Sequence, residues 1–201
     1  MITIIDYDAG NLRSVEKALI SLGEEVTISR DKEEILRADK VILPGVGAFG
    51  DAMDKLLHYH LIDTIYQVIE QKTPFLGICL GQQLLFERSE ECEDRKGLGI
   101  LKGEILRIPD RGLKVPHMGG NSLQIRKGAV LFQGLEDFPY VYFVHSYYLK
   151  AAEEEIVAAV TEYGVSIHAS VEKDNIFACQ FHPEKSGRVG LQILKNFAAI
   201  K

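Results

Sequence analysis

Tryptophan is absent from this chain of 201 residues, and cysteine is scarce, with only Cys79, Cys92 and Cys179. An odd number of cysteines without C-x-x-C spacing argues against both a disulfide framework and a structural zinc site. Basic clusters are also lacking, since no more than two lysines or arginines are adjacent and the formal net charge is −6. The sequence therefore lacks the positive surface that a nucleic-acid partner requires.

Long hydrophobic runs are missing as well. No stretch reaches the roughly 18 apolar residues of a membrane span, and the first residues lack a basic segment followed by a small-residue cleavage site. We therefore expect a cytoplasmic protein with no membrane partner. Hydrophobic residues nevertheless make up 46% of the chain, and this length and composition predict one globular domain that spans residues 1–201.

The order of apolar runs favours an α/β fold. Runs typical of buried strands, such as Ile2 to Ile5, Val41 to Leu43 and Phe75 to Ile78, alternate with segments of helical spacing. After Ser89 the pattern changes to short β-rich runs that are typical of hairpins. We predict a mostly parallel central sheet with helices on both faces and added antiparallel strands.

Local patterns predict further details of the elements. Asn11 is expected to cap the first helix, and Asp31 with Glu34 to form a capping box. The run from Val141 to Tyr148 is predicted as one strand. The acidic run from Glu90 to Asp94 is predicted as a solvated loop, in which one carboxylate could bind a substrate.

The segment Gly77-Ile78-Cys79-Leu80-Gly81 carries the strongest chemical signal. An apolar strand enters a helix here, with a glycine two residues on either side of Cys79. This is the spacing of a nucleophile elbow, whose strained turn tolerates little bulk beside the nucleophile. The start of the following helix would stabilise a thiolate. Cys79 is therefore a candidate nucleophile, although a buried structural cysteine between turn glycines would show the same pattern.

A candidate base follows the last apolar run of the chain. His182 comes directly after Ile176 to Phe181 and precedes Pro183, which favours an extended conformation of the histidine. Side chains at positions i and i+2 of an extended segment lie on the same side, so we expect Glu184 to reach the imidazole. Cysteine, histidine and carboxylate in this order fit thiol acyl transfer. His-Pro-Glu by itself would also fit an ordinary turn.

A glycine-rich segment follows another predicted strand. Gly45-Val46-Gly47-Ala48-Phe49-Gly50 matches the G-x-G-x-x-G pattern of dinucleotide sites. Pro44 precedes the motif, and the acidic residue about 20 positions further on, Glu70, ends a helical stretch, which disfavours a dinucleotide. If this segment lies beside Cys79, its N–H groups could instead face a developing oxyanion.

These segments together resemble the class I, triad-type glutamine amidotransferases. The resemblance covers essentially the whole chain and rests on Pro44-Gly45-Val46-Gly47, Gly77-Ile78-Cys79-Leu80-Gly81-Gln82-Gln83 and His182-Pro183-Glu184. It implies a flavodoxin-like core. Within the family, the branch that is most similar consists of the glutaminase subunits of imidazole glycerol phosphate synthases, from histidine biosynthesis. That similarity rests on Gly47 to Met53, Pro116 to Gly119 and His182 to Gly187.

The resemblance implies a role for each matched residue. Cys79 would be the nucleophile, His182 the general base and acid, and Glu184 the carboxylate that orients the imidazole. The implied oxyanion donors are the backbone N–H groups of Gly47 and Leu80. The implied binding residues for the substrate, L-glutamine, are Gln83, Glu91, Ser146 and Tyr147. No cofactor and no metal ion are implied.

The resemblance also implies a partner, a cyclase subunit with a (β/α)8 barrel that forms a heterodimer with this chain. The matched positions that would face it are Asn11, Gly120 within the loop from Pro116 to Gly120, and Lys185. The chain departs from the family at two positions. Gly120 stands where tryptophan is common, and Asp8 stands where glycine is frequent.

Other functions fit parts of the pattern. A glutaminase for anthranilate or pyridoxal phosphate synthesis would share the triad, but the surroundings of Met118 and Lys185 disfavour it. A thiol hydrolase of γ-glutamyl peptides would share the elbow and need no partner. An inactive regulatory subunit would have no chemical reason to retain the triad. Periodicity assigns no role to His117 or His145.

Overall fold

Fourteen strands and six α-helices make up the chain in the computed structural model, which describes all 201 residues. In chain order they are β1 (Ile2–Ile5), α1 (Leu12–Ser21), β2 (Val26–Ser29), α2 (Lys32–Arg37), β3 (Lys40–Leu43), α3 (Phe49–His58), α4 (Ile62–Glu70), β4 (Phe75–Ile78), α5 (Leu80–Leu84), β5 (Arg88–Ser89), β6 (Cys92–Lys96), β7 (Gly103–Arg107), β8 (His117–Ser122), β9 (Gln124–Ile125), β10 (Tyr140–His145), β11 (Tyr147–Ala151), β12 (Val157–Glu162), β13 (Ser166–Lys173), β14 (Ile176–Cys179) and α6 (Gly187–Ala198). No helix is long and apolar enough to cross a membrane.

The main sheet has eight strands in the order β2-β1-β3-β4-β14-β13-β12-β9. The first five are parallel, and β13, β12 and β9 extend the sheet in antiparallel fashion. Two small sheets complete the fold, the ribbon of β8 with β10 and the sheet β11-β7-β5-β6. The predicted α/β fold, with a mostly parallel sheet and antiparallel additions, is confirmed.

Hydrophobic cores lie on both faces of the main sheet, because alternate residues of each strand point to opposite sides. In β1, Ile4 belongs to the cluster that contains Leu19 of α1 and Phe197 of α6. The next residue, Ile5, belongs to the cluster of Ile35 and the residues of α3 and α4. The predicted helices on both faces are therefore confirmed. The sheet brings the carboxyl ends of β3, β4 and β14 side by side.

Three predicted segments have a different structure. The run from Val141 to Tyr148 is divided at Ser146 into β10 and β11, because these strands pair with different partners, β8 and β7. The predicted loop from Pro116 to Gly120 lies mostly in β8. The acidic run contains part of β6, an edge strand that pairs only with β5, where charged side chains remain in water.

The predicted helix caps are partly confirmed. Asp31 accepts a hydrogen bond from the backbone N–H of Glu34 at 2.9 Å, as a capping box requires. The side chain of Glu34 instead accepts a hydrogen bond from Ser29. Asn11 occupies the N-cap position of α1, but its side chain makes no capping hydrogen bond.

Candidate active site

Cys79 lies at the turn between β4 and α5 in a strained conformation, with φ 55° and ψ −110°. A positive φ is costly for a residue that has a side chain, and such strain is typical of functional sites. The flanking residues must be glycines because neither position has room for a side chain. A Cβ atom on Gly77 would lie 2.7 Å from the carbonyl oxygen of Gly81, and one on Gly81 would lie 1.9 Å from that of Leu43. The turn has the geometry of a nucleophile elbow.

His182 and Glu184 are in direct contact. The imidazole Nδ1 lies 2.8 Å from a Glu184 carboxylate oxygen, and both side chains are only 2% exposed. The reason for the contact differs from the prediction. Pro183 to Lys185 form a 3-10 turn, so the carboxylate reaches back across this turn instead of along an extended segment.

The environment of His182 favours its protonated form. Burial lowers the pKa of the imidazole, but the neighbouring Cys79 sulfur and the hydrogen bond to Glu184 outweigh burial and raise this pKa to about 9. The buried Nε2 atom makes no hydrogen bond of regular geometry. Because Nδ1 is held by the carboxylate, Nε2 is the atom that can exchange a proton with Cys79 or with a ligand in the cavity.

A cavity of about 400 Å³ surrounds the Cys79 side chain. All four residues predicted to bind substrate, Gln83, Glu91, Ser146 and Tyr147, lie on its wall. The other lining residues are Val46, Gly47, Cys79, Leu80, Arg107, Pro116, Val144, His145 and His182. A larger open groove of about 720 Å³ follows residues 123–138 and contains none of the predicted site residues.

Gln180, which the sequence patterns did not identify as a site residue, has its side chain beside Cys79. Its amide nitrogen lies 3.7 Å from the Cys79 sulfur, and its amide oxygen accepts a hydrogen bond from Gln83 at 3.0 Å. Gln180 is fully buried. A glutamine inside the apolar run before His182 was the signal that could have identified it, because buried polar groups need partners.

Arg107 and His145 also line the cavity, and the sequence patterns identified neither of them as a site residue. Arg107 ends β7 at the rim, with its guanidinium 5.8 Å from the ring centre of Tyr147. Glu91, which also lines the cavity, accepts a hydrogen bond from the backbone N–H of Phe49 at 2.9 Å. The cavity therefore presents one negative and one positive side chain.

The two predicted oxyanion donors line the cavity but are not assembled as a pair. The N–H of Leu80 donates to the carbonyl oxygen of Gly45 at 3.3 Å, while the N–H of Gly47 has no partner within the chain. Gly47 has φ +101°, a conformation that side-chain-bearing residues rarely adopt. The Gly45 carbonyl thus occupies a donor that an oxyanion would need.

The residues predicted to face a partner lie close together. Gly120 in β8 is directly opposite Tyr142 in β10, and the Lys185 ammonium lies 5.9 Å from the Tyr142 ring centre. Helix α1, which begins after Asn11, contacts the 3-10 turn that contains Lys185. Met118 on the same face as Gly120 is 57% exposed.

Asp8 has a local explanation for its departure from the family pattern. Its φ of 60° is the left-handed conformation that glycine adopts freely. Arg30 and Tyr59 donate hydrogen bonds to its carboxylate, and Lys55 donates to its carbonyl oxygen at 2.8 Å. These contacts stabilise an aspartate where the backbone favours glycine.

Comparisons with known proteins agree with this architecture. A family model described as glutamine amidotransferase class-I matches residues 3–200. The chain is 51% identical over 200 residues to the imidazole glycerol phosphate synthase subunit HisH of Methanocaldococcus jannaschii, with full coverage of both chains. It is 53% identical over 197 residues to the subunit of the same name from Caldanaerobacter subterraneus, covering 98% of this chain and 97% of that one.

Solved structures of lower identity share the fold. A crystal structure of a glutamine amidotransferase matches with a TM-score of 0.77 at 20% identity, covering 99% of this chain and 100% of the other. PurLQS from Thermotoga maritima matches with a TM-score of 0.76 at 21% identity, covering 98% of this chain and 96% of that one.

Proposed function

The chain belongs to the class I glutamine amidotransferases, in the branch of the HisH subunits, and on that premise we propose that it is the glutaminase subunit of an imidazole glycerol phosphate synthase. It hydrolyses L-glutamine to glutamate and ammonia through a thioester on Cys79. The observation that carries this proposal is the arrangement of Cys79 at the strained elbow, beside an imidazole that Glu184 holds through Nδ1.

The first half of the reaction forms the thioester. The raised pKa of His182 favours a protonated imidazole at neutral pH, and the attacking form of Cys79 is its thiolate. The thiolate attacks the side-chain carbonyl carbon of glutamine, and a carbon–sulfur bond forms as the carbonyl electrons move onto oxygen. When this tetrahedral intermediate collapses, the carbon–nitrogen bond breaks and His182 Nε2 gives its proton to the leaving ammonia.

The second half releases glutamate. The neutral imidazole of His182 now takes a proton from water, and the resulting hydroxide attacks the thioester carbonyl. The carbon–sulfur bond breaks, glutamate leaves, and the protonated imidazole again stands beside the thiolate. Glu184 keeps its contact with Nδ1 throughout, since its role is to orient the ring and stabilise its positive charge.

The charges of the cavity fit a free amino acid. Glu91 holds one carboxylate oxygen against the N–H of Phe49, and its negative charge suits the α-ammonium group of glutamine. Arg107 at the rim offers a positive charge for the α-carboxylate. Gln83, Ser146 and Tyr147 line the same cavity and offer further polar groups to the ligand.

The oxyanion side supports a requirement for a partner. With the Leu80 N–H donating to Gly45, the chain alone lacks a complete donor pair for the tetrahedral intermediate. We propose that a (β/α)8 cyclase docks on the face around Asn11, Gly120 and Lys185, settles the Gly47 segment and takes up the ammonia. This device prevents glutamine from being consumed when no acceptor is present.

The thioester gives a direct test of the proposed chemistry. The chain is mixed with glutamine in the presence of a cyclase subunit, quenched in acid and examined by intact-mass spectrometry with peptide mapping. A glutamyl adduct confined to Cys79 is expected, and a Cys92→Ala variant should form the same adduct. Glutamate release without any adduct on Cys79, or release that persists in Cys79→Ala, would contradict the mechanism.

Turnover rates with different substrates distinguish the proposed function from the alternative, a free-standing hydrolase. A γ-glutamyl peptidase would turn over γ-glutamyl peptides at least as fast as glutamine and would not respond to a cyclase. The proposed function predicts preference for glutamine and dependence on the partner.

A further inference from the structure

The ribbon of β8 and β10 has two faces with different chemistry. Residues directly opposite each other in an antiparallel pair share a face, and successive pairs alternate. The outer face carries the pair of Gly120 with Tyr142 and the exposed Met118. The inner face carries the pair of His117 with His145, whose side chains are 3% and 7% exposed. These two buried histidines are not used by the proposed reaction.

Both histidines belong to a continuous chain of hydrogen bonds. Asn121 Nδ2 lies 3.2 Å from His117 Nε2, and His117 Nδ1 lies 2.9 Å from His145 Nε2. His145 Nδ1 in turn lies 2.8 Å from the carbonyl oxygen of Tyr147. We call this chain, from Asn121 through the two imidazoles to the Tyr147 carbonyl, the histidine relay. It connects the partner-facing ribbon with the wall of the cavity.

The partners at each end fix the direction of the relay. The Tyr147 carbonyl can only accept, so His145 Nδ1 must carry a hydrogen and Nε2 must accept. At the other end, Asn121 accepts from the N–H of Ser122 at 2.8 Å and donates to the carbonyl of Glu162 at 3.0 Å, which orients its amide. Asn121 therefore donates to His117 Nε2, and His117 donates from Nδ1 to His145.

The relay requires both imidazoles to be neutral. A second proton on His145 would place two N–H groups face to face between the rings, and a second proton on His117 would oppose the Asn121 amide. Burial lowers the pKa of each histidine to about 4, in agreement with this arrangement. His117 is further held by stacking on Phe143 and Tyr163, at centroid distances of 4.7 and 4.0 Å.

The relay ends on an atom that also holds Gln83. The Tyr147 carbonyl accepts a second hydrogen bond, from the Gln83 amide nitrogen at 3.1 Å. The other hydrogen of that nitrogen goes to Gln180, whose own amide lies beside the Cys79 sulfur. With both of its hydrogens engaged, Gln83 presents its amide oxygen as the group that remains for a ligand.

We propose that His117 and His145 are positioning residues of the glutamine site, whose one-way hydrogen bonds hold the Tyr147 carbonyl and the Gln83 carboxamide as glutamine binding requires. The inference rests on the proposed function, because it takes glutamine as the ligand. His117 lies outside the cavity lining, and His145 acts through the Tyr147 carbonyl instead of taking part in a chemical step, so their loss should weaken substrate binding more than it slows the chemical steps.

The test compares three variants, two at His117 within the histidine relay and one at His168 outside it. His117→Phe keeps an aromatic ring between Phe143 and Tyr163 but removes both relay hydrogen bonds. His117→Asn places an amide nitrogen near the position of Nδ1 and restores the donor to His145. The matched control is His168→Phe, because His168 is a partly buried histidine whose ring accepts one hydrogen bond, from the N–H of Ala151, and it does not line the cavity.

Two measurements separate positioning from a general loss of structure. The first is KM and kcat for glutamine in the complex with a cyclase subunit. The second is the rate of Cys79 labelling by a diazoketone analogue of glutamine, compared with labelling by iodoacetamide, which needs only the thiolate. His117→Phe should raise KM about tenfold, the loss expected for one or two hydrogen bonds, with a much smaller change in kcat. Labelling by the analogue should slow similarly, and labelling by iodoacetamide should not change.

The controls decide the outcome. His117→Asn should stay within about threefold of the wild-type KM, and His168→Phe should leave KM unchanged even if the melting temperature falls. If His117→Phe does not fold, Asn121→Ala removes the outer donor of the relay, together with the Asn121 hydrogen bonds to Ser122 and Glu162, and should raise KM by a smaller factor. An unchanged KM in His117→Phe, or in Asn121→Ala where His117→Phe does not fold, would overturn the inference, and so would an equal rise in His168→Phe. A wild-type complex that neither hydrolyses glutamine nor reacts with the analogue would instead overturn the proposed function, and this inference with it.

Discussion

The two sides of the cavity differ in how completely they are assembled. On one side, Cys79, His182 and Glu184 are buried, and each is held by the backbone of the main sheet or the turn that follows it. On the other side, the segment from Pro44 to Gly47 is partly exposed, and one of its carbonyls occupies the Leu80 N–H. Under the proposed mechanism, the groups for proton transfer are in place, whereas the donors for the oxyanion are not.

This difference suggests where control is exerted. A reactive thiolate hydrolyses little glutamine if the oxyanion of the transition state is poorly stabilised. Electrostatic stabilisation is usually the largest contribution to such catalysis. The triad side should therefore be insensitive to a partner, and the oxyanion side should respond to it.

Removing the nucleophile should give the largest effect. Cys79→Ala is expected to lower glutamine turnover by about 10⁴-fold or more, because the members of a triad act as a unit. Cys92→Ala is the matched control and should retain wild-type turnover. Burial raises the pKa of the Cys179 thiol, so limited alkylation followed by peptide mapping should also find Cys79 modified first. Earlier labelling of Cys92 or Cys179 would contradict an activated Cys79.

Graded losses are expected along the rest of the triad. His182→Asn removes the proton carrier and should lower kcat by about 10³-fold or more. Glu184→Gln keeps the shape and leaves the histidine in place, so its loss should be smaller, about 10²-fold. Steady-state kinetics of both variants in the presence of a cyclase subunit provide the comparison. A loss in Glu184→Gln that equals or exceeds that in His182→Asn would be inconsistent with an orienting role.

The sequence was sufficient to predict the assembled side and much of the fold. The glycines beside Cys79 and the order of apolar runs are local signals, and they led to the elbow, the parallel strands and the candidate triad. The contact between His182 and Glu184 was predicted for the wrong reason, because a 3-10 turn depends on how the following residues pack.

The remaining features depend on pairing between distant segments. The break at Ser146 follows from β10 and β11 joining different sheets, and the histidine relay exists because β8 pairs with β10. Neither has a periodic signal in the sequence. The hydrogen bond from Leu80 to Gly45 likewise depends on the close approach of two loops, and local sequence patterns do not specify such an approach.

Stability should depend on pH through His182. The pKa of its imidazole is 6.5 without the contacts of the folded chain and about 9 within the folded chain. The folded state therefore holds the proton more tightly. The stabilisation is fully present below about pH 6.5 and is lost as the pH rises to about 9, by at most a few kcal/mol. Urea unfolding of wild type and His182→Asn between these pH values should show a decline that the variant lacks. Parallel pH profiles of the unfolding free energy in wild type and His182→Asn would contradict this expectation.

A change on the oxyanion side should have a moderate effect that is confined to catalysis. Gly47→Ala introduces a Cβ atom into open space but at φ +101°, so its cost is conformational. We expect about a tenfold lower kcat in the complex and unchanged labelling of Cys79 by iodoacetamide. Gly128→Ala, also at a positive φ with open space around it, is the control and should leave kcat unchanged. Slower iodoacetamide labelling in Gly47→Ala would show that the two sides are not independent.

The smallest effect is expected at the partner face. A Cβ atom on Gly120 would lie 3.8 Å from Tyr140, an ordinary van der Waals contact, and we expect Gly120→Trp on this outer face to leave the unfolding free energy of the isolated chain nearly unchanged. Its association with the cyclase should weaken by about tenfold, because the added ring overfills an interface shaped around glycine. Titration of the two subunits measures this, and tighter binding would contradict the expectation.

The most direct test of the central claim is glutamine turnover by this chain, measured alone and with a cyclase subunit and its phosphorylated ribonucleotide ligand. If the triad is ready and the oxyanion side is not, the partner should raise kcat by about 10²-fold or more, the contribution of one oxyanion donor, while iodoacetamide labelling of Cys79 stays constant. Full turnover by the isolated chain, with no stimulation by the cyclase and its ligand, would contradict the account.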